Sequence, residues 1–287
     1  MRNFSDAPVA RTTPTKLRLS ELSAALPSLS RRSIEDLLAP LEELVSCSPN
    51  LIAQRGAKFA IKGETYELPR FLFVGPKGGD TPIRIGIFAA IHGDEPEGAH
   101  ALVHFIRSLD ASPDLAKGYC LSVYPICNPT GFEDHTRHSR SGRDLNSEFW
   151  RNIAEPEIKL LEAELSTNAF DGIISLHTHN DSHGIYGLVR GVTLTKHLLE
   201  PALQAAEAFL PRDERALIEG LPARNGVIRN ATEGVLSAPP KARPRPFEIT
   251  LELPKAPPSY LKEYGIVIAL RTILTEYRKL IAYAHSI

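Results

Sequence analysis

The 287-residue sequence predicts an α/β fold, a three-layer α/β/α sandwich around a mixed, largely parallel sheet with an N-terminal helical extension. Short runs of Ile, Phe, Val and Leu alternate along the chain with stretches whose apolar residues recur at helical spacing. This alternation is typical of strand and helix units that build a sheet covered on both faces. In such sheets ligands bind beyond the carboxyl ends of the strands, so functional side chains are expected there.

The composition is that of a globular protein with a sizeable core. Hydrophobic residues make up 43% of the chain and charged residues 23%, and no apolar run approaches the roughly 18 residues that span a bilayer. With 33 Lys plus Arg against 34 Asp plus Glu, there is no electrostatic reason to expect a nucleic acid or a membrane as a partner. Residues 1–15 carry no secretory pattern, so we expect a cytoplasmic protein whose three cysteines are reduced.

The first 48 residues are predicted to be an arm followed by a helical extension. Residues 1–17 lack periodicity, whereas apolar residues recur at helical spacing in residues 19–26 and again in residues 34–45, with Ser33 as a candidate cap. Residues 49–287 are predicted to form the main domain. The sequence makes no prediction of the oligomeric state.

The main domain begins with a predicted β-hairpin. Residues 51–74 favour two strands joined by a turn at Lys62-Gly63-Glu64. Residues 83–91 are almost continuously apolar, which indicates a strand buried on both faces, and residues 97–109 place their apolar side chains on one helical face. Together these last two segments predict a strand followed directly by a helix.

The remaining elements follow the same alternation. Further strands are predicted at 121–126, 170–176, 185–189 and 247–253, and further helices at 157–165, 194–210 and 260–284. Residues 218–246, rich in Pro, Gly, Arg and Asn, are predicted to be a long irregular loop.

Candidate metal ligands lie where two predicted strands end. His92 and Glu95 follow the first central strand, and an imidazole nitrogen and a carboxylate oxygen three positions apart are both suited to Zn²⁺. His177 follows the predicted strand 170–176 and is the candidate third ligand. His179 and the pair His135 and His138 remain open as alternatives. A structural reading, with His92 at a strand end and Glu95 favoured by a helix dipole, also remains open.

A hydrolytic metal site needs a carboxylate that moves protons and is not itself a ligand. Glu252 is the candidate, since it alternates with apolar residues near the end of the last predicted strand. Asp94 and Glu97 are the alternative residues, and Glu252 could instead be a solvated strand glutamate without a catalytic role. Several arginines lie in the segment after Asn128-Pro129-Thr130-Gly131. The side chains of this segment that are suited to binding a carboxylate are Arg137, Arg140, Arg143 and Asn146.

The order of these motifs resembles the zinc carboxypeptidase superfamily, the carboxypeptidase A-like proteins that include aspartoacylases and succinylglutamate desuccinylases. That family shows His-x-x-Glu, Asn-Pro-x-Gly, a Thr-Arg before Asp-Leu-Asn-Arg, a Leu-His ligand and a late Glu-Leu. The matching residues here are His92 with Glu95, Asn128 to Gly131, Arg137, Asp144 to Asn146, His177, and Glu252 with Leu253. The resemblance covers residues 80–280.

The resemblance implies one Zn²⁺ per chain, held by His92, Glu95 and His177 in a catalytic domain of residues 49–287. It implies further that Glu252 is the general base and acid, that Arg137 stabilises the oxyanion, and that Asn146 contributes to the pocket for the substrate carboxylate.

The leading hypothesis is a zinc-dependent hydrolase of an amide or peptide bond, metallocarboxypeptidase-like, with a metal-activated water. One alternative is an N-acyl amino-acid amidohydrolase of the aspartoacylase kind. A non-catalytic metal-dependent peptide-binding module is the other.

Two departures from the family pattern concern the substrate. The arginine that follows the family's asparagine is replaced by Ser147, which cannot form a bidentate pair with a carboxylate; Arg140, Arg143 or Arg229 are candidates to compensate. The family's substrate-capping tyrosine has no match either, because residues 218–246 contain no Tyr.

Overall fold

The computed structural model describes residues 30–229 and 235–284. The predicted arm and the predicted first helix lie outside the described residues. From Arg32 onward the described chain forms one compact unit, which begins with helix α1 (Ile34–Val45). The prediction of this helix is confirmed, and it begins where predicted because the Ser33 hydroxyl accepts a hydrogen bond from the Asp36 N–H at 2.9 Å. The domain boundary at residue 48 stays a prediction.

Ten strands lie within the described residues and join one mixed sheet in the order β1-β2-β4-β3-β5-β10-β6-β9-β8-β7. They are β1 (Leu51–Ile61), β2 (Glu64–Val74), β3 (Ile83–Ala89), β4 (Tyr119–Tyr124), β5 (Gly172–His179), β6 (Tyr186–Val189), β7 (Leu217–Ile218), β8 (Leu221–Arg224), β9 (Val227–Ile228) and β10 (Phe247–Pro254). The hairpin β1–β2 confirms the predicted turn at Lys62 and Gly63.

Helices connect and cover these strands. They are α2 (Glu97–Ala111), α3 (Pro129–Asp134), α4 (Pro156–Thr167), α5 (Glu200–Ala206) and α6 (Ser259–Ala284). A short helix, Val192–Leu194, and a π-helical turn, Thr195–Leu199, lead into α5, and 3₁₀ turns occur at Pro113–Ala116 and Leu145–Ser147. Within the described part of the chain, no helix has the length and apolar content needed to cross a membrane.

Parallel pairing is concentrated at the centre of the sheet. Strands β4, β3, β5 and β10 run in one direction, whereas β2 on one side and β6 on the other are antiparallel to them. The four central strands therefore end at the same edge of the sheet. The segments that follow β3 and β4, and the last residues of β5 and β10, meet at this edge.

Side chains that alternate along the strands build an apolar layer on each face, as the three-layer prediction requires. Ile85 and Ile87 join a large buried cluster with α1, α2 and α6, while Phe88 points to the other face and stacks on Tyr124 with ring centroids 4.5 Å apart. Helix α4 packs on that second face. Ser175, Thr250 and Glu252 belong to the same face, at its carboxyl end, where they line a cavity.

Two predicted boundaries differ from the structure. Strand β5 continues to His179, so His177 lies inside the strand rather than after it. Residues 218–246 are not wholly irregular, because two tight turns, at Glu219-Gly220 and Asn225-Gly226, join β7, β8 and β9. Both residues of each turn have positive φ angles, and this favours two-residue hairpin turns. Asn225-Gly226 is a hairpin signal that the sequence already contained.

Candidate metal centre and substrate cavity

His92, Glu95 and His177 come together at the carboxyl edge of the sheet, and all three are buried. Their ligand atoms lie within 4.8 Å of one another: His92 Nδ1 is 2.7 Å from Glu95 Oε1 and 3.3 Å from His177 Nδ1. Two imidazole nitrogens and a carboxylate oxygen are donors that Zn²⁺ prefers. Three buried donors facing one point fit a metal ion of this kind.

The three side chains are also coupled electrostatically. Burial alone would lower the pKa of His92, but its contacts with Asp144 and Glu95 raise that pKa to about 9. Burial alone would raise the pKa of Glu95, but the two imidazoles hold it well below its ordinary value. Glu95 is therefore ionised, as a metal ligand must be.

A network of hydrogen bonds behind the triad fixes Glu95. The backbone N–H of Thr178 donates to Glu95 Oε2 at 2.9 Å, and the Thr178 hydroxyl donates to Glu97 Oε2 at 3.2 Å. The other oxygen of Glu97 accepts a hydrogen bond from Lys262 Nζ at 2.7 Å, and this ion pair is buried. Support of this kind holds a metal ligand in place.

The Asn-Pro-x-Gly segment positions the next loop. Asn128 caps α3 by accepting the Gly131 N–H at 2.9 Å, and its amide donates to the carbonyls of Ile91 and Arg137. Gly93 packs so closely on Gly131 that a Cβ at Gly93 would lie 2.0 Å from the Gly131 carbonyl carbon. Glycine at 93 therefore lets the ligand loop and the arginine loop lie side by side.

Arg137 reaches the triad from this loop. Its Nη1 lies 3.5 Å from Glu95 Oε1, and its Nε donates to Asp144 Oδ2 at 3.1 Å. Asp144 Oδ1 in turn lies 3.3 Å from His92 Nε2. Close to half of the Arg137 side chain, 48%, remains exposed and lines the cavity. The guanidinium can thus contact both the metal ligands and a bound molecule.

Glu252 lies beside His177 in the parallel pair of β5 and β10. Its carboxylate lines the cavity and has no hydrogen bond or ion pair to any residue within the described chain. Burial, followed by the negative charges of Glu95 and Glu219, raises the pKa of Glu252 well above its ordinary value. A carboxylate in this environment takes up a proton readily.

The cavity has a volume of about 590 Å³. The triad and Glu252 line it, and the loop residues Trp150 and Leu236 contribute to its apolar lining. Arg190, just after β6, also lines the cavity; it is exposed and has no carboxylate within 4.0 Å among the described residues. The space is large enough for a small organic substrate or the end of a peptide.

Besides Arg137, four residues were predicted as candidates for binding a substrate carboxylate, and they separate into two groups. Asn146 lines the cavity, with its side-chain oxygen accepting the Leu236 N–H at 3.2 Å. Arg140 does not line it, because its guanidinium is held by Asp134 at 2.7 Å and by Glu64 at 2.6 Å. Arg143 does not line it either and pairs with Glu148 at 3.3 Å. Arg229 is exposed and likewise does not line the cavity.

The residues considered as alternatives to the triad and to Glu252 have other partners or lie elsewhere. His179 lies two residues further along β5, with Nε2 3.5 Å from Glu219. Among the described residues the cluster of candidate metal ligands contains neither His135 nor His138. Glu97 is engaged by Lys262, and Asp94 does not line the cavity.

Four residues that line the cavity or support its side chains were not predicted from the sequence: Lys262, Tyr186, Arg190 and Glu219. Nothing in the sequence marks Lys262, because its partner Glu97 is 165 residues away. Tyr186 on β6 and Glu219 in the β7–β8 turn meet because β9 and β8 pair in sequence next to β6. The turn itself could have been found from Glu219-Gly220, between two apolar residues.

Comparison with known proteins adds to this geometry. Residues 83–219 match the model of the succinylglutamate desuccinylase/aspartoacylase catalytic domain family. Comparison with curated protein sequences finds no match.

Among solved structures, the chain is similar to a protein of Shewanella denitrificans OS217 classed provisionally as a metallopeptidase. The TM-score is 0.70 at 22% identity, over 84% of this chain and 89% of that one. A protein of Shewanella amazonensis SB2B with the same provisional class has a TM-score of 0.70 and 22% identity, over 84% of this chain and 92% of that one. The metallo-carboxypeptidase of Burkholderia cenocepacia has a TM-score of 0.66 and 15% identity, over 87% of this chain and 70% of that one.

At these identities the structural likeness concerns the fold. The family match covers the segment that contains His92, Glu95, Arg137 and His177. The family match and the buried triad support a metal-dependent hydrolase. The family match and the shared fold confirm the resemblance to the zinc carboxypeptidase superfamily, including its succinylglutamate desuccinylase/aspartoacylase branch.

Proposed function

We propose that this protein is a Zn²⁺-dependent hydrolase of an amide or peptide bond, metallocarboxypeptidase-like in its chemistry. One observation carries the proposal: the unpaired Glu252 carboxylate faces the same cavity as the triad and Arg137. A half-buried carboxylate without a partner is costly for stability, so its place beside a candidate metal site favours a role in the reaction.

His92, Glu95 and His177 would hold one Zn²⁺ per chain. When bound, this ion would polarise the substrate carbonyl and lower the pKa of a water molecule. Three protein ligands leave a position open, as in catalytic zinc sites.

Glu252 is the proposed general base and acid. Its carboxylate accepts a proton from the attacking water and then delivers that proton to the nitrogen of the leaving amine. The surroundings that raise its pKa suit this exchange, because a base whose pKa lies nearer to neutrality both accepts and returns a proton.

Arg137 is the proposed stabiliser of the oxyanion that forms at the attacked carbonyl. Its guanidinium is anchored by Asp144 and keeps an exposed side toward the cavity. A cation held in advance at the point where negative charge develops lowers the barrier without reorganisation. Asn146 lines the same cavity and is the proposed contact for a substrate carboxylate.

An N-acyl amino-acid amidohydrolase is the second candidate, because the matched family model is that of the desuccinylases and aspartoacylases. The same catalytic groups serve both reactions. Turnover of C-terminal peptides against N-acyl amino acids by the zinc-loaded protein separates the two candidates.

The test of the hydrolytic mechanism is the substitution Glu252→Gln. We expect the amide to keep the shape of the side chain and the stoichiometric binding of Zn²⁺, but to lower kcat by about 10²- to 10⁴-fold because proton transfer is lost. Glu43→Gln, on an exposed turn of α1, is the control and should hydrolyse as the wild type does. Wild-type activity in Glu252→Gln contradicts the mechanism.

A further inference from the structure

Glu219 is the first residue of the tight turn between β7 and β8, and it lines the cavity. Its φ angle is +52° and that of the following Gly220 is +74°. A left-handed conformation is unfavourable for a residue other than glycine. Glutamate therefore occupies this place at a local conformational cost.

That carboxylate is fixed against the cavity wall. The Tyr186 hydroxyl donates a hydrogen bond to Glu219 Oε1 at 2.9 Å, and Tyr186 is fully buried. His179 Nε2 lies 3.5 Å from the same oxygen, and the rings of His179 and Tyr186 meet edge to face. The Glu219 side chain nevertheless keeps 36% of its surface exposed.

The other carboxylates that line the cavity have different partners. Glu95 belongs to the metal triad and lies near Arg137, and Glu248 is paired with Arg245 at 3.2 Å. Glu248 also accepts the Ala238 N–H at 2.9 Å. Glu219 has no Lys or Arg nitrogen within 4.0 Å among the described residues. Apart from the proposed base Glu252, it is thus the cavity carboxylate that lacks a lysine or arginine partner among the described residues.

We propose that Glu219 is the substrate-binding group for a positively charged part of the substrate, an ammonium or a guanidinium. The inference rests on the proposed function, since it concerns the substrate class of the same cavity. Tyr186 lies opposite Glu252 in the pairing of β6 with β10, so its hydrogen bond holds Glu219 close to the proposed general base. The substrate's cation therefore lies close to the bond that is cleaved.

The strength of the expected preference follows from the surroundings. Glu219 is partly desolvated and already oriented, so binding a cation orders little of the protein. Hydrogen bonds to charged groups contribute more than neutral ones, and this predicts a preference of about 10- to 100-fold over an uncharged side chain of equal size.

The test compares zinc-loaded wild type with Glu219→Gln on two matched sets of peptides, which carry Lys or norleucine on either side of the scissile bond. We expect the wild type to favour Lys at one of these positions by about 10- to 100-fold in kcat/KM. Gln keeps an oxygen for the Tyr186 hydroxyl, so hydrolysis of the norleucine peptide should change by no more than about twofold while the preference for Lys disappears.

Glu214→Gln, an exposed residue of the same segment that does not line the cavity, is the matched control and should keep the preference. An equal loss on both peptides in Glu219→Gln assigns a structural role and overturns the inference. An unchanged ratio of Lys to norleucine overturns it too.

A binding measurement separates this inference from the proposed function. Calorimetry with N-acetyl-lysine methylamide and N-acetyl-norleucine methylamide needs no turnover. A preference for the lysine compound in the wild type that Glu219→Gln abolishes supports the subsite even if no amide is hydrolysed. Equal binding of the two compounds by the wild type overturns the subsite, whereas hydrolysis by that same protein would leave the proposed function standing.

Discussion

The glutamates on the two sides of the metal triad differ in their charged partners. On the side of α2 and α6, Glu97 is buried and its charge is met by Lys262 at 2.7 Å. On the side of the cavity, Glu252 and Glu219 have no lysine or arginine partner within the described residues. The first arrangement stabilises the fold, because each buried charge has its counter-charge inside the chain. The second leaves charge available to a metal ion, a proton or a substrate.

The difference shows how one edge of a sheet combines rigidity with reactivity. Glu97 and Thr178 hold Glu95 in place through hydrogen bonds, so the ligand does not depend on the cavity for its orientation. The cavity side has groups whose charges stay uncompensated until something binds. The supporting side should therefore respond to mutation with a loss of stability, and the cavity side with a change in chemistry or in pH dependence.

The largest expected effect is on the supporting side. Lys262→Met removes the cation but keeps the length of the side chain, and it leaves Glu97 charged and buried. We expect the free energy of unfolding, measured with urea, to fall by about 3–5 kcal/mol. The exposed Lys279→Met is the control, with a change of no more than about 0.5 kcal/mol.

The double variant Glu97→Gln with Lys262→Met should recover most of this loss, because neither charge then remains buried alone. A Lys262→Met variant as stable as the wild type would show that the ion pair does not support the triad.

A smaller effect is expected from the metal ion. Zn²⁺ at about 100 times its dissociation constant should raise the free energy of unfolding of the wild type by about 2.7 kcal/mol. His177→Ala removes one of three ligands and should lose this increment at the same Zn²⁺ concentration, whereas His104→Ala, which is half exposed on α2, should keep it. Equal stabilisation of all three proteins would contradict the proposed metal centre.

The smallest effect concerns the pH dependence of the metal-free protein. The pKa of Glu252 is raised in the folded state, so the folded protein binds the proton more tightly than the unfolded chain does. The stability that this group contributes is complete below its unfolded pKa and is lost as the pH rises toward the folded one. Glu252→Gln should flatten this fall by up to about 1.4 kcal/mol per pH unit.

Urea unfolding of the metal-free protein between pH 5 and 8 measures the difference. Glu43→Gln is again the control, since Glu43 is exposed on α1. Parallel curves for the wild type and Glu252→Gln would mean that Glu252 is as well solvated as a surface glutamate.

Much of the fold followed from local pattern. The continuous apolar run of β3 and the helical spacing in α2 were sufficient to predict a strand and the helix after it, because both faces of a central strand are buried. The alternation in β10 placed Glu252 on the face opposite Leu251 and Leu253. The short strands β7, β8 and β9 were missed, since two to four residues give too little periodicity to detect.

The sequence by itself determined the metal ligand candidates and Glu252, because they stand near strand ends in an order that resembles a known family. It determined Arg137 through that order of motifs alone. It could not decide which arginines reach the cavity. Arg140 and Arg143 lie only a few residues from Arg137, yet in the folded chain they pair with carboxylates away from the cavity. Arg190, just after β6, lines the cavity instead.

Only the tertiary structure decided the partners of Glu97, which is buried, and of Glu219, which is partly exposed. Lys262 meets Glu97 across 165 residues, and Tyr186 meets Glu219 across 33, so no local pattern relates them. Charge pairing depends on distances of a few ångströms, and those distances arise when helices and strands from separate parts of the chain pack together.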